Sequence, residues 1–152
     1  MLMVPFCREF PELAAKDRFR VVLRKANSPN PSVYEIVDLY CPENRCNCHK
    51  VSAVAFDCLG KACATIAWGW KSPGYYRNKW ELDEKTAKKL SQGFLDPYGR
   101  QSADSTEIFA AFTHAVKSVP RVKKFFQKCY ATLKILPLTN RQSYNHGFIE
   151  IE

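Results

Sequence analysis

The chain predicts an α+β domain: an antiparallel meander of three to five strands, one of its hairpins rich in cysteine, packed by two or three C-terminal helices. Three observations carry this. Runs of β-branched and aromatic residues are confined to residues 17–70, apolar residues recur at helical spacing over residues 82–136, and Cys41, Cys46 and Cys48 fall between two strand-like runs. Strands first and helices afterwards argue for helices laid over one face of an antiparallel sheet. At 152 residues the chain fits one domain, 1–152, without a repeat, low-complexity tract or dividing linker.

Taken in order, Phe6 to Lys16 reads as a short helix or an irregular lead-in, because Pro5 and Pro11 interrupt it. Phe19 to Arg24 has strand composition. Asn27 to Ser32 is a turn whose two prolines cannot continue a ladder. Val33 to Tyr40 is the next strand, with Val33, Glu35, Val37 and Leu39 on one side and Tyr34, Ile36, Asp38 and Tyr40 on the other. Val51 to Cys58 and Ala62 to Trp68 form a further hairpin through Leu59, Gly60 and Lys61. The alanines at 53, 55, 62, 64 and 67 suit a sheet on which a helix packs closely.

Residues 68–80 read as a loop from their Gly and Pro-Gly content, and they mix Trp68, Trp70, Tyr75, Tyr76 and Trp80 with Lys71, Arg77 and Lys79. A helix follows between Asp83, placed as its N-cap, and Gly93, placed to close it. Asp104 and Glu107 have capping-box spacing ahead of Ile108, Phe109, Phe112, Ala115, Val116 and Val119. Pro120 suits the first turn of a last helix, in which Val122, Phe125, Phe126, Cys129, Tyr130, Leu133 and Leu136 form one stripe. Arg121, Lys123, Lys124, Lys128 and Lys134 fall on its other face, and Pro137 ends it. Residues 147–151 alternate like a short edge strand that rejoins the sheet.

The chemistry is concentrated in the cysteine hairpin. Cys41, Cys46 and Cys48 have the spacing C-x4-C-x-C, with Pro42 and Asn44 favouring a turn inside the loop. Thiolates held on a tight turn supply soft ligands to a tetrahedral metal with little chain entropy to lose, so the stretch reads as a structural zinc knuckle. His49 is the candidate fourth ligand and Cys7 the alternative. The Cys46-x-Cys48 pair with His49 beside it resembles the second ligand pair of the SEC-C zinc motifs. The order and spacing differ from that family, and its glycine-lysine loop is missing, so the resemblance implies no function here. Buried free thiols are the competing reading of these cysteines, and a Cys58–Cys63 disulfide the competing reading of that pair.

Composition narrows the field of functions. Hydrophobic residues at 46% and charged residues at 25% are globular values. The first sixteen residues lack the apolar centre of a signal peptide, and no apolar run approaches the roughly 20 residues of a membrane span. With seven cysteines, an odd number, the expectation is a soluble cytoplasmic protein with metal-bound or free thiols. The formal charge is +8, and no acidic residue falls between Glu107 and Glu150. Such a one-signed field attracts polyanions. The reading is a zinc-knuckle binding or adaptor domain with nucleic acid as the leading partner class. Lys71, Tyr75, Tyr76, Arg77 and Lys79 would make contact from the 68–80 segment, and Arg121, Lys123, Lys124 and Lys128 from the last helix. A protein-interaction module and a metal- or thiol-dependent enzyme are the alternatives. The enzyme is the less supported, because no HExxH, glycine elbow or phosphate-cradling loop occurs. His114 reads as a core or boundary histidine of the middle helix.

Overall fold

The computed structural model describes residues 3–43 and 45–135. It is an α+β fold in which one antiparallel sheet is covered on a single face by C-terminal helices. The strands are β1 (Val4–Pro5), β2 (Arg20–Leu23), β3 (Ser32–Tyr40), β4 (Lys50–Phe56), β5 (Ala62–Gly69) and β6 (Phe94–Leu95). Their order is β1-β3-β4-β5-β6, with β2 also paired to β3. The outer edge of β3 is therefore shared: β2 takes its first half, from Ser32 to Glu35, and β1 its end, at Leu39 and Tyr40. The helices are α1 (Phe6–Glu9), α2 (Pro11–Lys16), α3 (Pro73–Trp80), α4 (Glu84–Gln92), α5 (Ser105–Ser118) and α6 (Pro120–Ile135). No helix among the described residues is long and apolar enough to cross a membrane.

The alternation read along β3 sets the layers. Tyr34, Asp38 and Tyr40 are buried towards the helices, while Leu39 joins Val54 and Ala62 in a small cluster of its own. Ala53, Ala55 and Ala64 are fully buried among Ile108 and Phe112 of α5 and Phe126 and Leu133 of α6. Short side chains on the central strands leave room for these larger ones. Each large residue so buried contributes about 1.5–3 kcal/mol of transfer free energy. Cys129 is buried on the same stripe, and all seven cysteines are free thiols.

Several expectations are corrected. Residues 73–80 are a helix and not a loop. Ser72 caps it, its hydroxyl accepting from the Tyr75 N–H at 3.2 Å, and Pro73 occupies the first turn, where its missing N–H costs nothing. Asp104 makes no capping bond to α5, because its carboxylate is taken elsewhere: Lys25 Nζ donates to it at 2.5 Å and the Tyr34 hydroxyl at 2.7 Å. His114 lies exposed on α5, turned away from the buried Phe112 and Val116. The sheet has six strands, since the two-residue strands β1 and β6 are too short to show periodicity. By contrast, Asp83 caps α4 as expected, accepting from the Thr86 N–H at 2.6 Å, and Gly93 follows the helix at φ 91°. The edge strand expected at 147–151, with Asn44, Leu136 and Pro137, lies outside the described residues.

The Asp104 tie joins the β2–β3 side of the sheet to the start of α5. The hydrogen bond from Lys25, followed by that from Tyr34, holds the Asp104 carboxyl below the usual carboxylate range, so its stabilisation exists above the unfolded pKa and is lost as pH falls through the folded one. In Asp104→Ala the urea midpoint should drop at pH 7, with the Tyr34 bond alone worth about 1 kcal/mol. The gap to the parent should close as the pH is lowered through that carboxyl's titration. A gap of unchanged size at low pH would show that the tie is not electrostatic.

Candidate metal centre

The hairpin between β3 and β4 is where the strand ladder gives out. Leu39 and Ser52 are the last paired residues, so residues 41–49 must satisfy their backbone groups by other means. Within the loop the Cys46 N–H donates to Glu43 O at 3.2 Å, and the chain re-enters β4 through His49 at φ 46°. The Trp70 N–H donates to His49 O at 3.2 Å, and five carbonyls of the loop accept from side chains of two helices. From α3, the Tyr75 hydroxyl donates to Asn47 O and the Tyr76 hydroxyl to His49 O, the latter at 2.7 Å. From α6, the Tyr130 hydroxyl donates to Cys46 O at 2.9 Å, and Lys134 Nζ donates to Cys41 O at 2.9 Å and to Glu43 O.

Clamped in this way, the loop brings three sulfurs together. The ligand atoms of Cys41, Cys46 and Cys48 all lie within 4.8 Å of one another, the one group of three or more metal-ligating side chains among the described residues. Thiolates around a tetrahedral ion, at metal–sulfur distances of about 2.3 Å, sit about 3.8 Å apart. The three sulfurs thus fit a single metal ion with small adjustments. Cys41 and Cys48 are almost completely buried, and Cys46 is half-buried.

The thiols are not equivalent. Burial raises Cys41, and burial together with neighbouring Cys46 pushes Cys48 up to about 11. Cys46 goes the other way. Burial opposes its ionisation, but hydrogen bonds from the Cys48 and Cys41 thiols, the Cys48 N–H and the Lys134 charge outweigh it and hold the thiol below its ordinary value. Cys46 is the sulfur best prepared to act as a thiolate, and Cys41 and Cys48 would have to give up their protons to hold a metal with it. Three thiolates on a divalent ion leave one net negative charge, and the Lys134 ammonium is positioned beside it.

The proposed fourth ligands take different positions. His49 is outside the sulfur group. Its ring lies in an aromatic cluster, with centroids 5.0 Å from Tyr130, 5.8 Å from Tyr75 and 6.2 Å from Trp70. Burial, then the charges of Lys71, Lys79 and Lys134, lower its pKa, which favours the neutral imidazole a metal would need. Cys7 sits in α1 and lines a separate cavity with Asp38.

The residues read as a nucleic-acid surface are likewise divided. Lys71, Arg77 and Lys79 are exposed, Tyr75 is half-buried, and Tyr76 is completely buried with Trp80 stacked on it at 5.5 Å. Gly69 is what admits the Tyr76 ring, because a Cβ there would overlap the phenol. Arg121, Lys123, Lys124 and Lys128 are exposed on α6. Sequence reasoning missed Tyr130 and Lys134 as parts of the site, placing one in the core stripe and the other on the solvated face. One signal was present: a tyrosine buried on an apolar stripe needs a partner for its hydroxyl.

Beside Cys46 the clamp leaves a cleft of about 440 Å³, bounded by Asn47, His49, Trp70, Lys71, Tyr130 and Lys134. It draws on the cysteine loop, the start of the 68–80 segment and the last helix. No protein-family model matches the chain, and neither does any curated protein or solved structure.

Because the clamp residues bond the loop's carbonyls and are not among the three sulfur donors, their removal should weaken metal binding without abolishing it. In Tyr130→Phe, which keeps the ring and deletes the donor, metal affinity measured by competition with a chromophoric chelator should fall about 10-fold. Cys46→Ser should bind far more weakly still. Equal affinity in Tyr130→Phe and the parent would mean that the loop holds its shape unaided.

Proposed function

We propose that the protein is a small binding module in which a structural zinc ion locks the 41–48 loop and nucleic acid is the partner. The observation that carries this is the cleft beside Cys46, where an aromatic wall and cations meet over the metal loop. Aromatic side chains offer stacking surfaces to bases, and Lys71, Arg77, Lys79, Arg121, Lys123, Lys124 and Lys128 offer charge to phosphates. None of these cations takes part in an ion pair among the described residues.

Zinc fits the donor set because soft thiolates select it among common cellular metals, and His49 is the fourth donor we favour. Cys7 is the alternative. A set of free and metal-bound thiols suits a reducing compartment, so the cytoplasm is the proposed setting.

The test is anisotropy of a labelled oligonucleotide with the zinc-loaded protein. With about four phosphate contacts, affinity should fall roughly 50-fold between 50 and 200 mM salt, from a slope of about 0.7 per contact. Trp70→Ala should cost about 1–3 kcal/mol of binding if a base stacks there. A salt-independent affinity, or one untouched by Trp70→Ala, would overturn the assignment of this cleft.

A further inference from the structure

A second concavity lies on the other flank of α6, between that helix and the chain entering β2. Its volume is about 380 Å³. Phe19, Val122 and Phe125, all half-buried, form the floor, and Arg18, Arg121, Lys124 and Lys128 stand exposed around it, with Asp17 the one acid. Arg18 has Glu35 at 3.9 Å, but none of the ion pairs among the described residues involves Arg121, Lys124 or Lys128. The positive rim is thus open to an external anion. An apolar, partly aromatic floor beneath it also suits a ligand with a flat ring attached to its charge, which a bare inorganic anion lacks.

The position of this groove relative to the first cleft is set by helix geometry. Arg121, Lys124, Phe125 and Lys128 recur at three- and four-residue intervals and line one flank of α6. Gln127, Tyr130, Ala131 and Lys134 do the same on the other flank, where they line the cleft beside Cys46. The solvent-facing ridge between the two concavities carries Lys124, Lys128 and Ala131. From Arg121 to Lys134 the helix rises about 20 Å, at about 1.5 Å per residue. Two recessed aromatic sites thus flank one basic helix.

We infer that the Phe19–Phe125 groove is a second base-and-phosphate cleft, and that single-stranded nucleic acid is the ligand, laid across α6 with bases entering both concavities. The inference rests on the nucleic-acid reading above and narrows it. Bases in a duplex are stacked on their neighbours and present only their edges, so they cannot enter recessed aromatic sites. An unpaired strand can splay successive bases into them while its phosphates follow the lysine ridge.

The experiment compares anisotropy titrations of zinc-loaded protein with a labelled 12-nucleotide single strand and with the 12-base-pair duplex of the same sequence. Four proteins are used: the parent, Trp70→Ala, Lys124→Glu with Lys128→Glu, and a charge-matched control, Lys85→Glu with Lys88→Glu on the exposed side of α4. The expected result is single-strand binding at least 10-fold tighter than duplex binding. The groove pair should lose at least 10-fold and its salt slope should fall by about 1.4, the value of two lost single-strand contacts. The control pair should lose much less. Loss in Trp70→Ala with none in the groove pair would overturn the second cleft and remove Lys124 and Lys128 from the interface, while nucleic-acid binding at the cleft beside Cys46 would stand. Equal losses in groove and control pairs would reduce the effect to net charge and overturn the inference. Duplex bound as tightly as single strand would overturn the ligand class. If the parent binds neither oligonucleotide, the proposed function fails and the inference falls with it.

Discussion

The site depends on how the carbonyls of the cysteine loop are satisfied. Between Tyr40 and Lys50 the backbone leaves the sheet, and its polar groups lose the ladder that served them. Three phenols and one ammonium take over five of its carbonyls. Tyr75 and Tyr76 reach in from α3, and Tyr130 and Lys134 from α6. Each of these bonds is worth about 1 kcal/mol or somewhat more in isolation, with the charged donor at the upper end. Their joint effect is on position, because they fix the loop on both sides with the three sulfurs converging within it.

The clamp ties the site to the core. Tyr130 touches the buried Tyr40 ring at 6.3 Å on one side and His49 at 5.0 Å on the other, so the packing of α6 on the sheet is transmitted to the loop. Tyr76 does the same from α3. Its ring is fully buried against Gly69 and Trp80 while its hydroxyl holds the end of the loop at His49. The buried Asp38 carboxylate accepts from the Tyr40 hydroxyl at 2.7 Å, which anchors that ring within the core. Disturbing α3 or α6 therefore disturbs the cysteine loop, although neither helix supplies a sulfur to it.

The sequence was most legible where one physical rule acted alone. Alternation along β3, the small residues of β4 and β5, the α6 stripe, Asp83 at an N-cap and the convergence of Cys41, Cys46 and Cys48 were all readable. It was less legible where two rules competed. Ser72 and Pro73 carry both a turn signal and a helix-start signal, and the helix wins because Ser72 caps it and Tyr76 has a core to enter. Asp104 has capping-box spacing, but Lys25 beyond β2 and Tyr34 of β3 take its carboxylate instead. Lys134 sits on a basic face in the helical pattern, and the Cys41 and Glu43 carbonyls draw it into the site.

By itself, the sequence determined the fold class, the strand-rich half before the helix-rich one, and the three thiols of the loop, because these follow from periodicity and residue type over short stretches. Only the tertiary structure decided which side chains hold the loop, which aromatics are spent on packing, and which cations remain open beside concavities. Those outcomes turn on hydroxyl and ammonium groups finding carbonyls 27 to 93 residues away along the chain. Local sequence preference carries no record of such distant partners, and the folded core is what brings them within a hydrogen bond's reach.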